Sequence, residues 1–162
     1  MEPIKYVSCL NETYQAEGFP PYRWSEFDSS PWQPFEKPLN QTRLALISSG
    51  GIFKEDQAPF DPWAVNDLSF REIDVDVDFK KLNLHHNYFD HRDALQDFNV
   101  VYPVDRLKEL AEAGFIGSLA PTVISLGMGR LYKRTALQEE TVPKILKILQ
   151  SQNVEAVLLV PA

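Results

Sequence analysis

All three histidines of the chain fall in one short stretch, Leu84-His85-His86-Asn87-Tyr88-Phe89-Asp90-His91-Arg92-Asp93. Imidazole titrates near neutrality, so one such group in a cleft can bind a substrate or move a proton at pH 7. Imidazole and carboxylate together also suit zinc or non-haem iron. The spacing lacks the helical H-E-x-x-H pattern and sets no carboxylate for a facial triad. Substrate binding or acid–base work by one of these histidines is therefore the leading reading, and no metal is expected. A metal enzyme using His85, His86, Asp90 and His91 stays open as a rival, as does a structural role. Arg71 and Arg106 lie in apolar stretches, where a guanidinium grips a carboxylate with two parallel hydrogen bonds. That carboxylate is either a substrate's or an aspartate of the chain itself. Cys9 is the lone cysteine, which rules out an internal disulfide, and no neighbouring base activates it.

These groups need elements to hold them. Leu44-Ala45-Leu46-Ile47 reads as a short buried strand running into Ser48-Ser49-Gly50-Gly51. That turn lacks the lysine of a P-loop and the G-x-G-x-x-G spacing of a dinucleotide site. No helix follows it to present its N-terminus to an anion. It reads as a tight turn lining a small-molecule cleft. Residues 52–67 hold Pro59 and Pro62 and no helical period, so a loop is expected, with an edge strand over 69–75. A helix should start at Pro103, with Asp105 near its positive end and Gly114 closing it. Ser118 to Leu126 is apolar and partly β-branched, and ends in Gly127-Met128-Gly129. A second helix spans roughly 137–152, with Pro143 near its first turn or kinking it. The run Ala156-Val157-Leu158-Leu159-Val160 looks like a central parallel strand.

Three strand ends thus carry small or flexible residues: Ser48 to Gly51, Gly127 to Gly129, and Pro161-Ala162. Parallel strands would bring all three to one carboxyl edge, where open α/β sheets place their chemistry. Ser49, Gly50, Gly51, Met128 and Gly129 are the expected cleft lining.

The fold class is α/β: a partial open parallel sheet with flanking helices over residues 43–162, preceded by an extended arm over 1–42. The arm holds six of the 12 prolines together with Tyr22, Trp24, Phe27, Trp32 and Phe35. Proline at that density forbids a long helix or central strand, and the aromatics suit anchoring on a surface. The formal net charge of −7 offers no field for a nucleic-acid backbone or an acidic membrane. With no signal peptide or long apolar run, a cytoplasmic protein is expected.

Asp67-Leu68-Ser69-Phe70-Arg71-Glu72-Ile73, His86 with Phe89-Asp90, Asp93, and Asp97-Phe98-Asn99 resemble the selenoprotein B family. It comprises the reductase components acting on glycine, sarcosine and betaine, and the small subunit of D-proline reductase. Tyr102-Pro103-Val104-Asp105-Arg106-Leu107, Glu112-Ala113-Gly114-Phe115-Ile116, Leu119-Ala120-Pro121, Met128-Gly129, Glu139-Glu140-Thr141-Val142-Pro143 and the last strand continue the likeness in order. It covers about 43–162 and leaves the arm unmatched. The resemblance implies reductive cleavage of a carbon–nitrogen bond next to a carboxylate, with a dithiol or thioredoxin-like electron donor and a homo- or hetero-oligomeric assembly. His86 would then orient or protonate the leaving amine, and Arg71 or Arg106 would meet the carboxylate. The family places a selenocysteine or cysteine directly after the strand that here ends Val160-Pro161-Ala162. The nucleophile is accordingly expected just past Ala162, at a UGA codon, and the 162-residue form is expected to be inactive. A non-catalytic small-molecule-binding module is the alternative.

Overall fold

The computed structural model describes residues 3–21, 26–30, 32–128 and 133–162. The chain forms two compact units, Met1–Phe35 and Glu36–Ala162.

The first unit departs from the expected extended arm. Its helix α1 (Tyr6–Ala16) is 11 residues long and buries none of its side chains. The prolines flank this stretch rather than interrupt it, so helix formation is unopposed between Pro3 and Pro20. Gly18, at φ +85°, closes the helix: its N–H donates to Gln15 O and that of Phe19 to Tyr14 O. Both bonds satisfy carbonyls that the helix end would leave bare. Tyr22 and Trp24 lie outside the described residues, whereas Phe27 and Trp32 are exposed.

The second unit is built on a mostly parallel sheet. Its strands are β1 (Arg43–Ser48), β3 (Phe70–Asp74), β5 (Ser118–Leu119), β6 (Thr122–Leu126) and β7 (Ala156–Val160). β5 and β6 run along the same side of β1, separated by Ala120-Pro121, because proline has no N–H to continue a ladder. β7 takes the other side of β1, parallel, from Leu44↔Ala156 to Ser48↔Val160. β3 pairs antiparallel with β6 and forms the far edge. β1 is therefore the central strand. β7, expected at the centre, pairs with β1 alone among the described residues. Its apolar run leaves Val157, Leu158 and Leu159 exposed.

Strand alternation explains the two cores. Leu46 and its neighbours pack with Val104 and Leu107 of helix α3 (Val104–Glu112). Ala45 faces the other way and packs with Ile145 and Leu149 of helix α5 (Val142–Ser151). One helix covers each face. α3 ends as expected, with Gly114 at φ +75° and Phe115 N–H bonded to Leu110 O. Pro143 does not break its helix. Instead α4 (Arg134–Ala136) runs through a π-helical turn, Leu137–Thr141, into α5. A widened turn accommodates the ring and the missing donor of proline. The stretch expected to be a plain loop contains β2 (Ile52–Lys54), paired antiparallel with β4 (Leu82–Leu84). Short helix α2 (Arg92–Gln96) follows the histidines.

Candidate active site at the carboxyl edge of the sheet

The turn after β1 is knitted into the protein. Ser48 Oγ donates to Val101 O at 2.6 Å and accepts the Gly50 N–H at 3.1 Å. The Ser49 N–H donates to Val160 O, and Ser49 Oγ accepts the Ala162 N–H at 3.0 Å. These bonds clip the end of β1 to the end of β7. Ser125 Oγ accepts the Ile52 N–H. Ser48 and Ser125 are fully buried, so each hydroxyl must be satisfied internally, and each is. Three amides of the turn are thus committed to the protein itself. It is a close-approach surface and not an anion cradle.

Two glycines fix what lies over this edge. Gly51 sits at φ +66°, and a Cβ there would lie 2.3 Å from His85 O and 3.4 Å from His86 Cβ. The histidine loop is therefore seated directly on the turn, and the His85 N–H donates back to Gly51 O. A Cβ on Gly127, past the end of β6, would lie 2.7 Å from Phe60 and 2.8 Å from the Asp67 carboxyl. The 55–69 segment thus closes the other side of the edge. Met128 is half-buried there, and Gly129 lies outside the described residues.

The three histidines have different fates. His85 is exposed, its Nδ1 lies 2.9 Å from Phe60 O, and its ring stacks edge-on to Phe53; it ties loops together. His86 is buried, at 3% exposure. Its Nδ1 accepts the Tyr88 N–H at 3.1 Å, and its Nε2 is buried with no partner. Burial, and secondarily the neighbouring His91, push the His86 pKa below the ordinary 6.5. The imidazolium is the form a dry site disfavours. His91 is half-buried and its Nδ1 also lacks a partner. Among the described residues, no three His, Cys, Asp or Glu side chains converge to hold a metal ion.

The charged candidates are engaged with other partners. Arg71 Nε donates to Ala58 O, and its two terminal nitrogens reach Ser69 Oγ, Phe70 O and Pro59 O. Its guanidinium also lies 4.2 Å over the Phe60 ring. It staples the 58–70 segment and meets no aspartate. Arg106 pairs with Glu109 one turn along α3, at 2.8 Å and exposed. Asp90 is exposed and bound to Arg92, whose hydrogen bonds hold its carboxyl below the usual range.

The buried hydroxyls of Ser48, Ser125 and Tyr102 were not singled out in the sequence. A serine inside an apolar strand, as in Val123-Ile124-Ser125-Leu126, is the signal that finds such positions. Tyr102 is fully buried, with no partner for its hydroxyl. Burial, with the nearby Asp74 carboxylate, raises its pKa far above the ordinary 10, so it stays a phenol. Two hollows of the surface lie elsewhere. One of about 450 Å³, lined by Lys54, Asp56, Asp74, Asp76, Asp78 and Lys81, is at the amino edge. Lys54 pairs there with Asp56 and Asp74. Another of about 350 Å³ lies between α5 and β7 and is almost wholly apolar. Chemistry, and not volume, singles out the carboxyl edge.

A mostly parallel sheet with a helix on each face, small residues at its carboxyl edge and one buried imidazole there defines an α/β protein. The chain belongs to the glycine/sarcosine/betaine reductase selenoprotein B family, which it matches over residues 8–162. The match reaches back into the region that resemblance alone left unassigned. It is 34% identical over 128 residues to D-proline reductase subunit gamma of Acetoanaerobium sticklandii, covering 79% of this chain and 52% of that protein. It is 27% identical over 126 residues to sarcosine reductase complex component B subunit beta of Peptoclostridium acidaminophilum, covering 74% of this chain and 27% of that protein. The chain spans about half the length of the first and about a quarter of the second. No solved structure matches it. No described helix is long and apolar enough to cross a membrane.

Proposed function

We propose that this chain forms part of a cytoplasmic reductase subunit that cleaves the carbon–nitrogen bond of a small amino-acid-like substrate. The observation that carries this reading is the meeting of the β1, β6 and β7 ends with buried His86 at one edge of the sheet, in a chain of this family. A parallel sheet binds ligands outside the carboxyl ends of its strands. In net terms the C–N bond breaks, a C–H bond forms at the α-carbon and the amine departs. A dithiol supplies two electrons and two protons and becomes a disulfide. The attacking group is a selenolate or thiolate contributed from outside these 162 residues, since Cys9 is the lone cysteine and is exposed in the first unit. Substrate and dithiol donor are the small-molecule and redox partners, and the assembly contains further subunits.

The test is dithiol-dependent amine release from glycine, sarcosine and betaine, and ring opening of D-proline, by the reductase assembly containing this chain. One substrate turned over well above the others is expected. No turnover of any, with retained binding of one, would instead identify a non-catalytic binding module.

A further inference from the structure

We propose that His86 is a neutral imidazole held as its Nε2–H tautomer, and that this N–H binds the carboxylate of the ligand at the carboxyl edge. The inference rests on the substrate class proposed above and changes the role of the residue from acid to anion donor.

The tautomer follows from one hydrogen bond. A backbone N–H can only donate, so the Tyr88 N–H at 3.1 Å obliges Nδ1 to accept. The hydrogen of the neutral ring is then on Nε2. That nitrogen is buried with no partner, an arrangement folded proteins rarely leave standing. Such an orphan calls for an explanation, and a bound acceptor is one. The neutral form is also the one the site prefers, because burial and His91 both oppose the imidazolium. A neutral N–H is a poor acid for a leaving amine but a good donor to an anion, and a dry site strengthens that bond.

Three backbone donors at the edge are already committed. The N–H groups of Ser49, Gly50 and Ile52 bond Val160 O, Ser48 Oγ and Ser125 Oγ. Arg71 staples its own segment and Arg106 faces Glu109. His86 Nε2–H is unpartnered, one residue past the His85 carbonyl that lies against Gly51. The rings of Tyr88 and Phe89 lie 5.7 and 4.7 Å from the imidazole. Tyr88 is 47% exposed, so it is the part of this cover that can swing aside without opening the core.

Histidine-selective ¹⁵N spectra of the full chain at pH 7.5 test the tautomer, with acetate and acetamide as probes. An acceptor-type Nδ1, a protonated Nε2, and an Nε2–H that moves downfield with acetate but not acetamide are expected. In the reductase assembly, His86→Phe should raise KM for its substrate roughly tenfold or more, as for loss of a hydrogen bond to a charged group, with kcat changed less than about threefold. His86→Gln, which keeps an N–H near the same place, should recover most of that loss. An Nδ1–H tautomer, an imidazolium at pH 7.5, indifference to acetate, or a fall in kcat at constant KM would each overturn the proposal. An assembly that turns over none of the four substrates defeats the functional reading instead, and the acetate response of Nε2–H then decides this one alone.

Discussion

Ser48 and Leu159 sit diagonally across neighbouring strands, one residue apart in register, and their environments are inverted. The serine is fully buried, whereas the leucine is 68% exposed. At the carboxyl edge, Ser48 and Ser125 are interior and their hydroxyls are hydrogen-bonded. On the β7 flank, Val157 and Leu159 face an apolar groove shared with Leu146 of α5. The contrast teaches where stability and function part company in this fold. Buried hydroxyls organise the site, because each must have a partner and so fixes the loop it touches. The exposed apolar side chains of β7 add little to the fold by their own burial and have the character of an interaction surface.

Substitutions can break or sharpen that comparison. Gly51→Ala should be the most damaging. It combines a left-handed backbone with a Cβ 2.3 Å from the His85 carbonyl oxygen, and strain of this kind costs about 1–3 kcal/mol before the backbone clash is added. Denaturant unfolding should show a loss of ~3 kcal/mol or more, together with displacement of the histidine loop. Ser48→Ala should come next, at about 1–3 kcal/mol, because it strands both Val101 O and the Gly50 N–H. A loss as small as that of a surface change would refute the view that this hydroxyl organises the edge.

A pH effect should be milder. The His86 pKa is depressed on folding, so the unfolded chain binds the proton more readily. Stability from this residue is complete above about 6.5, the ordinary value, and falls as the pH drops below it until the folded pKa is passed. Unfolding curves of wild type and His86→Gln should therefore diverge in slope only on the acid side. Leu159→Ser should have the smallest effect, within about 1 kcal/mol, since two thirds of that side chain is already in water. A cost as large as that of Ser48→Ala would erase the contrast between the two regions.

Much of this architecture was legible in the residues. The run Leu44–Ile47, the edge strand around Phe70–Asp74, the helix closed by Gly114 and the converging strand ends all rest on period, breakers and caps, which are local. Helix α1 is hidden by the proline density of the segment as a whole, although its own stretch, Tyr6–Ala16, is free of proline. β2 and β4 are three residues each and carry no period to find. The position of β7 depends on which neighbours it has, and an apolar run reports hydrophobicity without reporting neighbours. At the candidate site, the tautomer proposed for His86 rests on a backbone N–H two residues on, which residue types do not report. The arginines show the same limit: a guanidinium that grips carbonyls, as that of Arg71 does, or a carboxylate of its own helix, as that of Arg106 does, looks in sequence like one that grips a substrate.

Hydrogen exchange of the reductase assembly, with and without its substrate, tests the central claim most directly. If the carboxyl edge is the binding site, ligand should slow exchange in residues 48–52 and 85–91, and leave residues 54–56 and 74–81 around the acidic hollow unchanged. Protection confined to that hollow, or to the β7 flank, would contradict the account.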